Sequence, residues 1–293
     1  MQDWKARQGV NIYFEKEKDM KKIFLLVTAV ILIVAYMDFT GASIPATVEK
    51  KLMINDNLKS RADVMTAIKV MTYNIHRGIN KDNMLDLDGI AETIKSSGAE
   101  VIALQEVERF SVRTRFQDQI AYIADKLSMQ YAFGKSINIL NGQYGNAILS
   151  KYPIEEYEVR ELPSEGEKRT LLRVRLNVDG NKITFYNTHL GLKQSERDIQ
   201  VEEIIRRIDE DKDFILAGDF NTRADKLGVI AESYADCASY GSNGSKATFE
   251  KEELSERIDY LFVSKDFKVK EYDVLKSDVS DHYPVVSILE FKD

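Results

Sequence analysis

The chain is poor in the side chains that cross-link or ligate. Of its 293 residues one is cysteine, Cys237, and three are histidine. A lone cysteine excludes an internal disulfide framework and a cysteine-built zinc site. A bound metal would therefore be held by oxygen and imidazole nitrogen, a donor set suited to hard ions such as Mg²⁺, with Mn²⁺ or Ca²⁺ as alternatives. The chain also lacks the broad excess of base by which proteins hold the nucleic-acid backbone. Its formal net charge is −7; residues 1–66 carry 10 basic and 8 acidic side chains, and the remainder 31 and 40. An acidic domain can still hold a phosphate where a metal ion is the largest local charge. No internal repeat or low-complexity tract is present. An apolar content of 44% beside 30% charged residues suits a soluble globular core, and the length suits one large domain or two small ones.

What is present begins with an apolar run. Lys21-Lys22 precede Ile23–Met37, which Asp38 closes and the small residues T-G-A-S-I-P-A follow. A positive flank, an apolar stretch and a small-residue exit predict a secretory signal. Kept in place, the same run is a membrane anchor near the lower limit of the roughly 17–25 residues that spanning takes. The expected division is an N-terminal extension over 1–22 (Met20 being a natural start), a signal or anchor over 23–38, a linker over 39–66 and a catalytic domain over 67–293. The domain is then expected outside the cytoplasm, secreted or anchored.

From Ala67 the pattern alternates between strand and helix. Ile68–Ile75, Val101–Leu104 and Ala147–Leu149 read as buried strands. Leu172, Val174, Leu176 and Val178 alternate with Arg173, Arg175 and Asn177, the period of a strand with one polar face. Asp179-Gly180-Asn181 turns that strand into Ile183–Thr188. Phe214–Ala217, Ile258–Val263 and Val285–Leu289 complete the strands. Helical spacing runs through Ile90, Ala91 and Ile94 with Asp88 as the expected N-cap. It recurs at Ile120, Ile123, Ala124 and Leu127, and at Val201, Ile204, Ile205 and Ile208.

Short polar signatures sit at or near the apolar runs: T-Y-N-I-H ending in His76, L-Q-E-V with Glu106, Y-G-N-A-I-L-S with Tyr144 and Asn146, N-T-H-L-G with His189, G-D-F-N with Asp219 and Asn221, R-I-D-Y with Asp259, and S-D-H-Y-P with Asp281 and His282. Carboxylates, amides and imidazoles repeated near strand ends point to one convergent site.

This ordered set resembles the endonuclease/exonuclease/phosphatase superfamily over nearly all of residues 67–293. The resemblance implies an α/β, four-layer α-β-β-α sandwich of two mixed β-sheets flanked by helices, and metal-dependent hydrolysis of phosphate esters. It makes Glu106 the principal metal ligand and has Asn74 help place the metal or the phosphate, with Asp281 on the metal side. His76 stands where several branches carry an acidic ligand; it either ligates a softer ion such as Mn²⁺ or hydrogen-bonds a neighbour. His282 with Asp259 is the implied general-base pair. Asp219 would hold or activate the attacking water, Asn221 would donate to a phosphoryl oxygen, and His189 would support the phosphate or the departing oxygen. Arg169, Tyr144, Asn146 and Arg115 are the candidates for substrate contact. The implied substrate is a phosphodiester, in nucleic acid, a phospholipid or a small molecule. A phosphomonoesterase of inositol-phosphate type and a catalytically silent module at the membrane are the competing readings, and metal-dependent turnover separates the last from the others.

Overall fold

The computed structural model describes residues 67–139 and 141–292. The expected extension, signal or anchor, and linker lie outside the described residues. Fourteen strands and four helices make up the domain: β1 (Ala67–Asn74), α1 (Leu87–Ser97), β2 (Val101–Arg109), α2 (Gln119–Leu127), β3 (Gln130–Ile139), β4 (Gly142–Ser150), β5 (Ile154–Leu162), β6 (Arg169–Val178), β7 (Asn181–His189), α3 (Gln194–Ile208), β8 (Phe214–Asp219), α4 (Val229–Ser233), β9 (Ala235–Asp236), β10 (Phe249–Lys251), β11 (Leu254–Glu256), β12 (Asp259–Val263), β13 (Phe267–Val274) and β14 (Val285–Phe291). Two six-stranded sheets run in the orders β13-β14-β1-β2-β4-β3 and β5-β6-β7-β8-β12-β9, with β10-β11 a separate hairpin. Each sheet is mixed: β1/β2 and β7/β8 are parallel and the other pairs antiparallel.

Period-two alternation stacks these layers. The inward residues Ile68 and Val70 of β1, Val101 and Ala103 of β2, Val174 and Leu176 of β6, and Ile215 and Ala217 of β8 meet between the sheets. Their outward neighbours Met71, Tyr73, Ile102 and Leu104 pack on Ile90 and Ile94 of α1 and Ile120 and Ile123 of α2. On the other side, Tyr186, Leu216, Tyr260 and Phe262 pack with Val201, Ile204 and Ile208 of α3. One-residue slips would turn every such set to the wrong face, so burial on both faces pins the register. The result is the expected four-layer sandwich.

Differences from the sequence reading are local. The first helix is capped by Asp86, whose carboxylate accepts from Gly89 N at 2.8 Å. Asp88 lies within the first turn and instead accepts from the Tyr122 hydroxyl at 2.6 Å. β2 runs on to Arg109 across a bulge between Leu104 and Val107. β5, an edge strand of sequence I-E-E-Y-E-V-R-E-L, is largely open to water, and its only alternation, Tyr157 and Val159 between charged residues, is too short to mark a strand.

Near the strand ends a polar bridge joins the sheets. Gln105 Nε2 donates to Asn187 Oδ1 at 2.7 Å and to Thr72 Oγ1 at 3.0 Å; Asn187 Nδ2 donates to the carbonyls of Leu104 and Ala147, each at 2.8 Å. Amides this deep cost free energy unless paired. The pairing fixes how the two sheets face each other immediately beneath the site.

Candidate active site

The parallel pairs β1/β2 and β7/β8 bring the ends of four strands together. Asn74 ends β1, Glu106 lies in β2, His189 ends β7 and Asp219 ends β8. Asp259 opens β12 antiparallel to β8, opposite Asp219 in register, and the segment before β14 supplies Asp281 and His282. Gly218 of G-D-F-N is required by close approach: a Cβ there would stand 2.3 Å from the Thr188 carbonyl oxygen.

Asp219 is the hub. Its Oδ2 accepts from Asn74 Nδ2 at 2.9 Å, and its Oδ1 from Asn221 N at 2.8 Å. His189 Nε2 lies 3.5 Å and His282 Nε2 3.7 Å from the same Oδ2. Asn74 Nδ2 also reaches Glu106 Oε1 at 3.3 Å, tying the two carboxylates together. His282 Nδ1 pairs with Asp259 Oδ2 at 2.9 Å, and Thr248 Oγ1 donates to that oxygen at 2.6 Å while accepting from the amides of Ile258 and Asp259. The Phe249 ring tilts against the imidazole with centroids 4.8 Å apart. His282 therefore has one nitrogen anchored and the other aimed at Asp219.

The two buried imidazoles carry opposite charge preferences. Burial alone opposes the cation at His282, but Asp259 and Asp219 override it, with help from Asp281, and raise its pKa to about 10. At His189 burial dominates, and Arg169 and His282 add to it against Asp219, lowering the pKa to about 3. Near neutral pH the pocket thus pairs an imidazolium with a neutral imidazole across one carboxylate. Burial also pushes the Glu106 carboxyl up, against the pull of His282 and Asn74.

Backbone strain concentrates here. Glu106 has φ 59 at the β2 bulge, which turns its carboxylate out of the strand's alternation. His76, Arg77 and Gly78 follow one another at φ 44, 60 and 76. Left-handed backbone costs roughly 1–2 kcal/mol for each residue bearing a Cβ, and such strain gathers at functional sites.

The structure brings together Asn74, Glu106, His189, Asp219, Asp259 and His282, with Asn221 and Asp281 at the edge. Tyr144 is buried near the charges of Glu106, Arg169 and Asp219, and burial pushes its hydroxyl pKa up. Arg169 is buried, pairs with Glu167 at 3.1 Å and leaves its Nε without a hydrogen-bond partner among the described residues. The remaining candidates are placed as follows. Asn146 spends its amide on the Thr170 carbonyl at 3.1 Å, a tie between the sheets. Asn221 donates its side-chain N–H to Leu190 O at 2.9 Å. Arg115 is exposed at a left-handed loop position, and no hydrogen bond or ion pair among the described residues joins it to the site. His76 accepts from Arg77 at Nε2 (2.5 Å), and its Nδ1 stands 3.6 Å from Asp281 Oδ1 at the edge of the site. Thr248 was missed: nothing in A-T-F-E marks it, and only the folded chain sets it under Asp259.

Two arrangements fit a cation. Asp219, Asp259 and His282 offer ligand atoms within 4.8 Å of one another. Within that set His282 is already hydrogen-bonded to Asp259 at 2.9 Å and drawn toward its cation, which suits the pair to handling a proton more than to caging an ion. The Glu106 carboxylate is drawn toward Asp219 by Asn74, and all the oxygens there suit a hard ion. Asn74 Oδ1 accepts from His76 N at 3.0 Å in this amide orientation; a flip would turn that oxygen toward the carboxylates.

A family profile described as "Endonuclease/Exonuclease/phosphatase family" matches residues 71–282. The chain belongs to that family. Members of the endonuclease/exonuclease/phosphatase family are metal-dependent phosphoester hydrolases, and this protein is one of them. It is 30% identical over 173 residues to an uncharacterized protein of Escherichia coli K12, YbhP, covering 53% of this chain and 67% of that one. It is 23% identical over 234 residues to human tyrosyl-DNA phosphodiesterase 2, covering 75% of this chain and 60% of that one. Among solved structures, a family member from Beutenbergia cavernae superposes with TM-score 0.67 at 25% identity, over 77% of this chain and 72% of that one. Among the described residues no helix is long and apolar enough to cross a membrane; the run Ile23–Met37 lies outside them.

Proposed function

We propose that this hydrolase is a divalent-metal-dependent phosphodiesterase, with Mg²⁺ as its working ion held chiefly by Glu106. One observation carries the reading: a single carboxylate oxygen of Asp219 lies within 3.7 Å of Asn74, His189 and His282, with Glu106 bound to the same asparagine. When bound, the ion supplies positive charge against the phosphoryl oxygens. Asp219, aimed by Asn221 N and Asn74, holds the attacking water and accepts its proton. His282 was the expected base; Asp259 and Asp219 hold its ring toward the protonated form, and in that form it acts as a donor. Its Nε2–H stabilises charge gathering on a phosphoryl oxygen while Asp259 and Thr248 keep the ring in place. His189, kept neutral by burial and by the nearby charge of Arg169, supports the departing oxygen.

Human tyrosyl-DNA phosphodiesterase 2 as a relative supports a diester substrate such as nucleic acid; the acidic domain supports a smaller or lipid-linked diester. The deciding experiment is a panel of DNA, RNA, sphingomyelin, phosphoinositides, a chromogenic diester and its monoester, with and without EDTA. EDTA-sensitive cleavage of a diester is expected. Turnover of the monoester alone would overturn the diester reading, and no metal-dependent turnover at all would leave a binding module. We further propose that the apolar run exports or anchors the domain outside the cytoplasm. Fractionated native cells should hold it in the exported or membrane fraction, and recovery from the cytoplasm alone would refute this.

A further inference from the structure

A partly buried cation beside Glu106 takes no part in that reaction. Arg77 follows His76 in the left-handed turn after β1, and its Nε lies 3.9 Å from Glu106 Oε2. That Nε is buried and has no hydrogen-bond partner among the described residues, although the side chain as a whole is 32% exposed. Only Nη2 is committed, donating to His76 Nε2 at 2.5 Å. The backbone beneath is fixed: the Arg77 carbonyl accepts from Gln119 Nε2 at 2.6 Å, and Gln119 Oε1 in turn accepts from Glu108 N in β2 at 2.8 Å. The turn and the strand bearing Glu106 are thereby linked, and the guanidinium is held over the carboxylate.

We propose that Arg77 is the resting counter-ion of Glu106 and a substrate clamp: it screens the carboxylate in the metal-free enzyme and turns its free donors onto a phosphoryl oxygen once a divalent ion takes Glu106. The inference rests on Glu106 being the metal carboxylate. Its physics is competition between cations. A guanidinium about 4 Å from a carboxylate is attracted to it and repels a second cation arriving there. With an ion held by Glu106, Arg77 would still offer a planar fork of N–H donors matched to a phosphate. Arg77 therefore costs the enzyme metal affinity and returns substrate affinity.

The test uses the whole protein with Mn²⁺ as the probe, followed by the paramagnetic signal of the free ion, in wild type, Arg77→Asn, Arg77→Lys and Glu106→Gln. Asparagine tolerates the left-handed backbone at this position, so the neutral variant keeps the turn. Arg77→Asn is expected to bind Mn²⁺ roughly three- to tenfold tighter. At saturating Mn²⁺ it is expected to raise KM for bis(p-nitrophenyl) phosphate roughly tenfold or more. Arg77→Lys retains the charge without the fork, so it should restore near-wild-type Mn²⁺ affinity while KM stays raised. Unchanged or weaker Mn²⁺ binding in Arg77→Asn, or an unchanged KM, overturns the proposal. Glu106→Gln binding Mn²⁺ as tightly as wild type would remove the metal assignment beneath it, and the proposal with it; this outcome is distinct because it appears without any change at Arg77.

Discussion

His282→Ala is expected to lower kcat/KM roughly 10²- to 10⁴-fold, the range associated with a lost proton-transfer or charge-stabilising group. The ring is one of two imidazoles reaching Asp219 Oδ2, and Asp259 and Thr248 hold it from behind. Its removal also strands a buried carboxylate. Breaking a buried pair costs roughly 3–5 kcal/mol, and in a domain of this size each kcal/mol moves Tm by roughly 2–4 °C, so Tm should fall roughly 6–20 °C. Rates are therefore to be compared well below the variant's midpoint, with circular dichroism confirming the fold. The pH dependence distinguishes the mechanism. The folded pKa of about 10 lies above the ordinary 6.5, so the stabilisation His282 contributes is whole below pH 6.5 and is lost as pH rises toward 10. In EDTA the wild-type Tm should fall across that window, and the His282→Ala curve should be flatter there. Near-wild-type turnover, or parallel alkaline limbs, would refute the assignment.

Glu106→Gln should separate stability from function. The carboxyl is pushed up by burial, so its ionised form at neutral pH is a cost to the metal-free fold. The isosteric amide removes that cost, and in EDTA the variant should melt at or above the wild-type temperature. Saturating Mg²⁺ tells the opposite story. At 100 times Kd an ion adds about 2.7 kcal/mol to the wild type, a Tm rise of roughly 5–11 °C. Glu106→Gln should show little of that rise and lose roughly 10²-fold or more in kcat/KM at the same Mg²⁺ concentration. A full Mg²⁺ shift in the variant would place the ion elsewhere, with Asp219, Asp259 and His282 the next candidates.

Much of the site was legible because its residues end buried strands. Burial on both faces fills β8 and the first half of β2 with apolar residues and leaves apolar cores in β1 and β7, so the polar residues closing these strands stand out: Asn74, His189 and Asp219. Glu106, after L-Q in β2, stood out for the same reason. Edge strands such as β5 were silent because exposure to water leaves only a short alternation. Arg115 and Asn146 misled because residue type says what a side chain can bind and not which neighbour takes it first.

The strand-helix alternation, the polar strand endings and the oxygen-and-imidazole donor set were legible in the chain because period-two burial and strand-end placement are local properties, and the family and its layered fold followed from the resemblance that the ordered polar signatures carry. The charge state of each histidine, the screening of Glu106 by Arg77 and the support of Asp259 by Thr248 were decided only in the folded molecule. Each depends on distances of a few ångströms between segments far apart in sequence, and on the water excluded from between them.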